Sequence, residues 1–289
     1  MNGSRIAAYD GGNVVVRSER GSIDAGSGAG GSATVEKIVV DPVTRHISAY
    51  SPTIPGSGIL ATTFPPSLDP SFPASVSPVG NITVTTPRGN IIANAGGVVQ
   101  IPLNGVSSSL ATVTLRAGTR DAQGNVVHVG DIDSSGSGVI GSTVSLDASG
   151  SIRGLVFARQ NIDLNAAASV SVTALAQGSI NVSAGGAVSG TIIGIGSVSA
   201  SGASVDASLL SQNVTASGNV GSAQVGFSQG TAASSVSQSV QGEESAKTTA
   251  KSRADDEESR SRKVAAAPKL TRTVGRVTVI LPETKPSSR

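Results

Sequence analysis

Apolar and polar residues alternate through the middle of the chain, and a long period lies over that alternation. Val144, Ile162, Ile180 and Val198 stand 18 residues apart, each with an apolar partner two positions on. Residues i and i+2 of a strand point to the same side, so these pairs predict one buried face. The residue between them is polar (Ser145, Asp163, Asn181 or Ser199) and is expected to face water in a hydrogen-bonded stack. A second column runs Ile152, Val170, Val188, Val205, and a third runs Val139, Phe157, Leu175, Ile193, Leu210. Both of these columns shorten from 18 to 17 residues between the same two repeats.

Three apolar columns per turn predict an all-β chain: a right-handed parallel β-helix with about 18 residues per rung and rungs stacked at about 4.8 Å. The hand follows from the rule for parallel crossovers. Gly185-Gly186 and Ser201-Gly202 fall between columns, where corners need residues that tolerate unusual backbone angles. Upstream the pattern is looser. Val14 and Ile23 are nine apart, as are Ile82 and Ile91, and each pair brackets an Arg-Gly turn, Arg20-Gly21 or Arg88-Gly89.

These patterns divide the chain. Residues 1–40 are read as initial rungs, 41–79 as a Pro-rich insertion, and 80–230 as the shaft. Residues 231–270 are read as a low-complexity charged linker, and 271–289 as a C-terminal strand and tail. Residues 41–78 hold eight of the 13 prolines. Proline cannot donate to a ladder, so this stretch is expected to loop across the side of the coil and to be removable without unfolding it. Glu243–Lys263 carries six acidic and six basic side chains and no apolar residue larger than Ala, which reads as a solvated, disordered linker. Residues 271–281 read as one strand before Pro282. That strand and residues 1–11 are the candidate caps for the open ends.

Composition agrees with a thin, repetitive interior. Aromatic residues are 2% of the chain, so the core must come from Val, Ile, Leu and Ala. Gly is frequent, at 36 residues, but mean hydropathy is +0.11 and only 14% of residues are charged, which opposes disorder throughout. The absence of Cys excludes disulfides and thiolate metal sites. A net charge of +2 gives no basis for a nucleic-acid partner. No apolar run reaches transmembrane length, and Met1–Asp10 lacks the apolar core of a signal peptide.

Reactive chemistry is sparse. The two histidines, His46 and His128, lie far apart, and no phosphate-binding loop or calcium-binding nonapeptide repeat is present. The best enzymatic candidate is Asp131-Ile132-Asp133, two carboxylates at i and i+2 such as a glycosidase or calcium site uses. No basic cluster is expected beside it, and the plainer reading is a corner with solvated carboxylates. No catalytic, cofactor or metal residue is therefore assigned. Asn-x-Ser/Thr strings at Asn2, Asn81, Asn181 and Asn213 arise freely in a Ser/Thr-rich chain.

Residues 80–91 (Gly-Asn-Ile-Thr-Val-Thr-Thr-Pro-Arg-Gly-Asn-Ile), the stretch 12–26 and the stretch 178–186 resemble rungs of filamentous haemagglutinin-type exoproteins. The resemblance spans roughly residues 9–230 and is one of pattern. It implies a secreted or cell-surface β-helical shaft with a role in adhesion or biofilm, facing glycans or proteins of host or bacterial surfaces. It also implies export through a two-partner outer-membrane transporter. The family's N-terminal secretion motif does not occur in the chain, so the resemblance reads it as the C-terminal portion of a longer exoprotein. Two other readings stand beside this non-enzymatic one. The first is a β-helical polysaccharide lyase or glycosidase using Asp131 and Asp133. The second is a carrier shaft that displays the insertion or the C-terminal strand to a protein partner. Open solenoid ends add end-to-end self-association as a further possible contact.

Overall fold

The computed structural model describes residues 5–26, 58–65, 76–93, 96–106 and 111–221, and backbone strands alone at 32–34, 37–40, 47–50, 53–55, 271–274 and 277–280. The described residues of the first 230 form a parallel β-helix in which one sheet system winds through three faces. The first face stacks Val14–Arg17, Ile82–Thr86, Thr112–Ala117, Thr143–Ala148, Ile162–Ala166 and Ile180–Ala184, followed by 197–201 and 213–217. The second stacks Ile23–Asp24 and Ile91–Ile92 under 132–134, 152–154, 170–172, 187–190, 204–207 and 219–220. The third begins with Arg5–Tyr9, Gly58–Thr62 and Val98–Ile101, then continues through 139–141, 156–158, 174–176, 191–194 and 208–210. Later strands turn corners without a break: Ile152–Ala158 serves two faces and Ser197–Leu210 serves all three.

Parallel register places like residues over like. The inward column of the first face is Val14, Ile82, Val113, Val144, Ile162, Ile180, Val198, Val214. That of the second is Ile23, Ile91, Ile132, Ile152, Val170, Val188, Val205, Val220. Every member is β-branched, the shape that packs best on a pleated surface. The sequence columns on these two faces match the structure residue for residue.

The third column does not. Val139 pairs with Val156, and Phe157 pairs with Ile140. The inward set is Val139, Val156, Ala174, Ile192 and Leu209, each with no exposed surface. Phe157, Leu175, Ile193 and Leu210 point outward, and Leu175 is 43% exposed. A slip of one residue reverses every side chain, and here two apolar residues in a row leave the alternation ambiguous. The interior decides. The inward residue is followed two positions on by Gly141, Ala158, Ala176 or Gly194, and a Cβ on Gly141 would meet Val113 Cγ2 at 2.7 Å. Small residues fill this position in the later rungs, where the third face converges on the first, and one rung below Gly141 the buried Gln100 fills it by bonding the Gly80 carbonyl and the Ser142 amide.

Insertions interrupt the rungs. Residues 27–57 include two antiparallel pairings, Ser32–Thr34 with Thr53–Pro55 and Lys37–Val40 with Ile47–Tyr50. The expected initial rungs therefore end near residue 26. Gly58–Thr62 is a rung strand, with Ile59 and Ala61 fully buried, so the Pro-rich stretch is divided in two. Gly-Ile-Leu-Ala-Thr carries no proline, which lets it donate to the ladder on both sides. Excision of 41–78 would remove that rung strand. A further insertion is a hairpin, Thr119–Arg120 with Val126–His128, which accounts for most of the 31-residue step from Val113 to Val144. Residues 5–9 form the first rung strand rather than a cap. Residues 231–289 cluster as a unit of their own, in which Thr271–Val274 pairs antiparallel with Val277–Ile280. The single C-terminal strand of the sequence reading is thus two short strands paired antiparallel. The linker 231–270 lies outside the described residues.

Ile180 sits between Ile162 and Val198 with no exposed surface. Truncation leaves a cavity between two rungs, so Ile180→Ala is expected to lower stability by about 2–5 kcal/mol. Ile180→Asp is expected to disrupt stacking around it. Asn181→Ala, on the outward side, is expected to change stability by less than about 1 kcal/mol. Urea unfolding of the three variants checks this ranking, and unchanged melting of Ile180→Asp contradicts it.

Candidate functional site

Asp131 and Asp133 lie where the hairpin returns to the coil. Gly118 starts that hairpin with φ +75°, and a Cβ there would collide with Ser149 Oγ and the backbone at Gly130. Ser149 is 5% exposed and holds the base of the hairpin. Its hydroxyl donates to the His128 carbonyl at 2.6 Å and accepts from the Gly130 amide at 3.0 Å. Arg120 on the outgoing strand pairs with Asp147 at 3.3 Å and donates to the Ala148 carbonyl. At the tip, the Asp121 carboxylate accepts from the Gln123 and Asn125 amides and the Asn125 side chain, which lower its pKa.

Asp131 precedes the strand and belongs to a ladder of corner side chains. The Asn90 amide donates to Ser22 Oγ at 3.0 Å, the Asp131 amide to Asn90 Oδ1 at 2.9 Å, and the Ser151 amide to Asp131 Oδ1 at 2.7 Å. Ser151 then meets Ser169, hydroxyl to hydroxyl, at 3.0 Å. A similar ladder runs along the corner before the first face. The Asn81 amide donates to Asn13 Oδ1, the Thr112 amide to Asn81 Oδ1, and the Ser179 amide to Asn161 Oδ1. At a corner the backbone leaves the sheet, and its amide needs another acceptor. A side chain one rung below supplies it.

Asp133 projects outward from the second face, directly under Arg153. Its Oδ2 accepts from Arg153 Nε at 2.9 Å, and its Oδ1 accepts from the Ser135 hydroxyl at 2.5 Å and the Ser135 amide at 3.1 Å. The sequence reading expected no basic partner here, but parallel register brings Arg153 up from 20 residues away. Burial raises the Asp133 pKa. The hydrogen bonds from Ser135 and the guanidinium of Arg153 together outweigh that, and the carboxyl is held below its ordinary value.

The two carboxylates are thus engaged separately, one by a backbone amide and one by an ion pair, and the pKa of Asp133 is lowered where a general acid requires it raised. Among the described residues no three His, Asp or Glu side chains converge as metal ligands would. His46 lies outside the described residues, and His128 takes part in the hairpin through its backbone. The outward polar stack forms as expected on the first face: Asn181 Nδ2 donates to Asp163 Oδ1 at 2.9 Å, and Ser199 follows in register. Beside it, Asn165 Nδ2 donates to Asp147 Oδ1 at 3.2 Å. Sequence reasoning missed the hairpin, which leaves Val126, Val127 and Val129 exposed. The turn-forming run Asp121-Ala-Gln-Gly-Asn125 was its signal. No protein-family model, curated protein or solved structure matches the chain.

Two outcomes follow from this geometry. Asp131→Asn keeps an acceptor for the Ser151 amide and is expected to leave stability nearly unchanged, whereas Asp131→Ala orphans that amide and is expected to cost about 1–3 kcal/mol. Asp133 has a folded pKa below its unfolded value of about 3.9. The fold therefore prefers the ionised form. That contribution is complete above the unfolded pKa and fades as pH falls through the lower folded value. Urea titrations at descending acid pH are expected to show Asp133→Asn losing less stability than the parent, and parallel acid profiles would contradict the pairing.

Proposed function

We propose that the chain is a non-enzymatic shaft of a secreted or cell-surface adhesin of the filamentous haemagglutinin type, acting in adhesion or biofilm. The observation that carries this reading is the engagement of Asp131 and Asp133 within the scaffold, one capping a corner amide and the other paired with Arg153. A glycosidase needs carboxylates free to meet a sugar, one of them raised in pKa, and a lyase working through Asp131 or Asp133 would need that carboxylate free as a base. In this reading the first face is the contact surface. Its outward Ser145, Asp163, Asn181 and Ser199 make a flat polar strip suited to hydroxyl-rich glycans or polar protein surfaces. Export as part of a longer chain, through a two-partner outer-membrane transporter, completes the proposal.

A carrier role is the second reading. The hairpin at 119–128 favours it, because Val126 and Val127 stand on a protrusion at 41% and 54% exposure. The ends of the stack offer a further contact. Ile6 and Val220 belong to inward columns yet are 38% and 41% exposed, which supports end-to-end association.

The test is binding of the purified chain to host cells, bacterial surfaces and a glycan panel, with turnover of acidic polysaccharides followed in the same wells. Saturable binding without turnover, weakened by Asn181→Arg, is the expected result. Turnover abolished by Asp131→Asn or Asp133→Asn would replace the shaft reading with an enzyme. Binding lost only on replacing the hairpin by a short turn would move the contact to the carrier site.

A further inference from the structure

The third face carries an apolar ladder on its outside. Register links Ala7, Leu60, Val99, Ile140, Phe157, Leu175, Ile193 and Leu210 without a break, all on the side away from the core. A solvated face has no need of such a ladder, and from Asp133 and Ser145 onward the other two faces carry polar residues at the matching positions. The chain covers one end of it. Phe64 stacks on Tyr9 with ring centroids 6.2 Å apart, and Leu60 and Phe64 form a small second core with Val99 and Leu103 packed against it. Beyond Val99 the ladder is less protected, and Leu175, in its middle, is 43% exposed.

We propose that the uncovered part, from Ile140 to Leu210, is a docking surface for the same face of a second copy, and that the two copies pair antiparallel about a two-fold axis at Leu175. Three observations select that occupant. First, the strand segments 137–141, 155–158, 173–176, 191–194 and 208–210 contain no charged residue, and the exposed Arg159 stands at the corner just past Ala158, so charge is confined to the margin of two such faces when they meet. The first face, with Asp147 and Asp163, could not do this. Second, five rungs with Leu175 at the centre are self-complementary, because an antiparallel two-fold sets Ile140 against Leu210 and Leu175 against itself. Third, the Phe64 cover lies beyond the Ile140 end. In the antiparallel arrangement the two covers project past opposite ends of the contact, whereas a parallel pair would bring them into collision.

The footprint sets the strength. Five rungs at about 4.8 Å and four strand residues at about 3.3 Å give roughly 300 Å² per copy. Tight complexes use about 800 Å² per partner. The dimer is therefore weak, with a dissociation constant in the micromolar-to-millimolar range. This inference is independent of the adhesive reading, since it concerns a different face and no external ligand.

Sedimentation equilibrium of the full chain, from micromolar to millimolar concentration, is the test. The apparent mass should rise from 28.4 kDa toward twice that value. Leu175→Glu should raise the dissociation constant at least tenfold with its melting unchanged, and Ser145→Glu on the first face should leave it unaltered. If Leu175→Glu fails to fold, Leu175→Thr, which suits a strand, replaces it. The chain has no cysteine, so Leu175→Cys should form a disulfide-linked dimer on oxidation while Ser145→Cys does not. A monomer at every concentration would overturn the proposal. So would association that ignores Leu175→Glu, or that Val220→Glu at the end of the stack abolishes instead.

Discussion

The structure depends on parallel strands stacking in register, so that each interior residue rests on another small or aliphatic residue one rung below. Everything else follows from that geometry. A rung of 18 residues encloses too little space for aromatic side chains, and Val and Ile fill it with little rotamer freedom to lose. Because each rung touches only its neighbours, stability accumulates along the axis, and the weakest contacts lie at the ends. The exposures of Ile6 and Val220, members of columns that are otherwise almost fully buried, express this.

The same stacking governs the polar residues. Strand amides satisfy one another, but at the corners the backbone turns out of the sheet. Asn, Ser and Asp side chains then take over as acceptors, each serving the rung above it. Asp131 is one such corner residue, and its carboxylate occupies the position that Asn90 fills one level below. Asp133 shows the complementary effect on an outward face, where register converts a residue distant in sequence, Arg153, into a partner at 2.9 Å. A pair of carboxylates that suggests catalysis in the sequence is engaged by neighbouring rungs in the coil, and the proposed shaft function rests on that engagement.

The first and second faces were legible in the sequence because most apolar positions of the shaft are flanked by polar ones, as Ile180 is by Ser179 and Asn181. The third face was not, because Val156-Phe157, Ala174-Leu175 and Ile192-Ile193 each place two apolar residues together. The column read from the sequence passes through Phe157, Leu175 and Ile193, whereas the narrow interior holds Val156, Ala174 and Ile192. The small residues two positions on, Gly141, Ala158, Ala176 and Gly194, carried the information that resolves the register. Proline density likewise marked residues 41–79 as one loop and hid Gly58–Thr62, a five-residue rung strand within it. The Arg153–Asp133 pair was beyond sequence reading for a different reason. Their 20-residue separation departs from the 18-residue period, because Ile132–Gly141 holds extra residues at the corner after Ser134.

Ile192 and Ile193 give the most direct test of this account, since they are the same residue at adjacent positions and differ only in the direction that register assigns them. Each would be replaced by Cys in separate chains that otherwise contain no thiol, and labelled under native conditions. The account requires Cys at 193 to react at once and Cys at 192 to stay protected until the chain unfolds. Reactivity in the opposite order would place the third face one residue out of register, with the outward ladder becoming core, and would contradict the account.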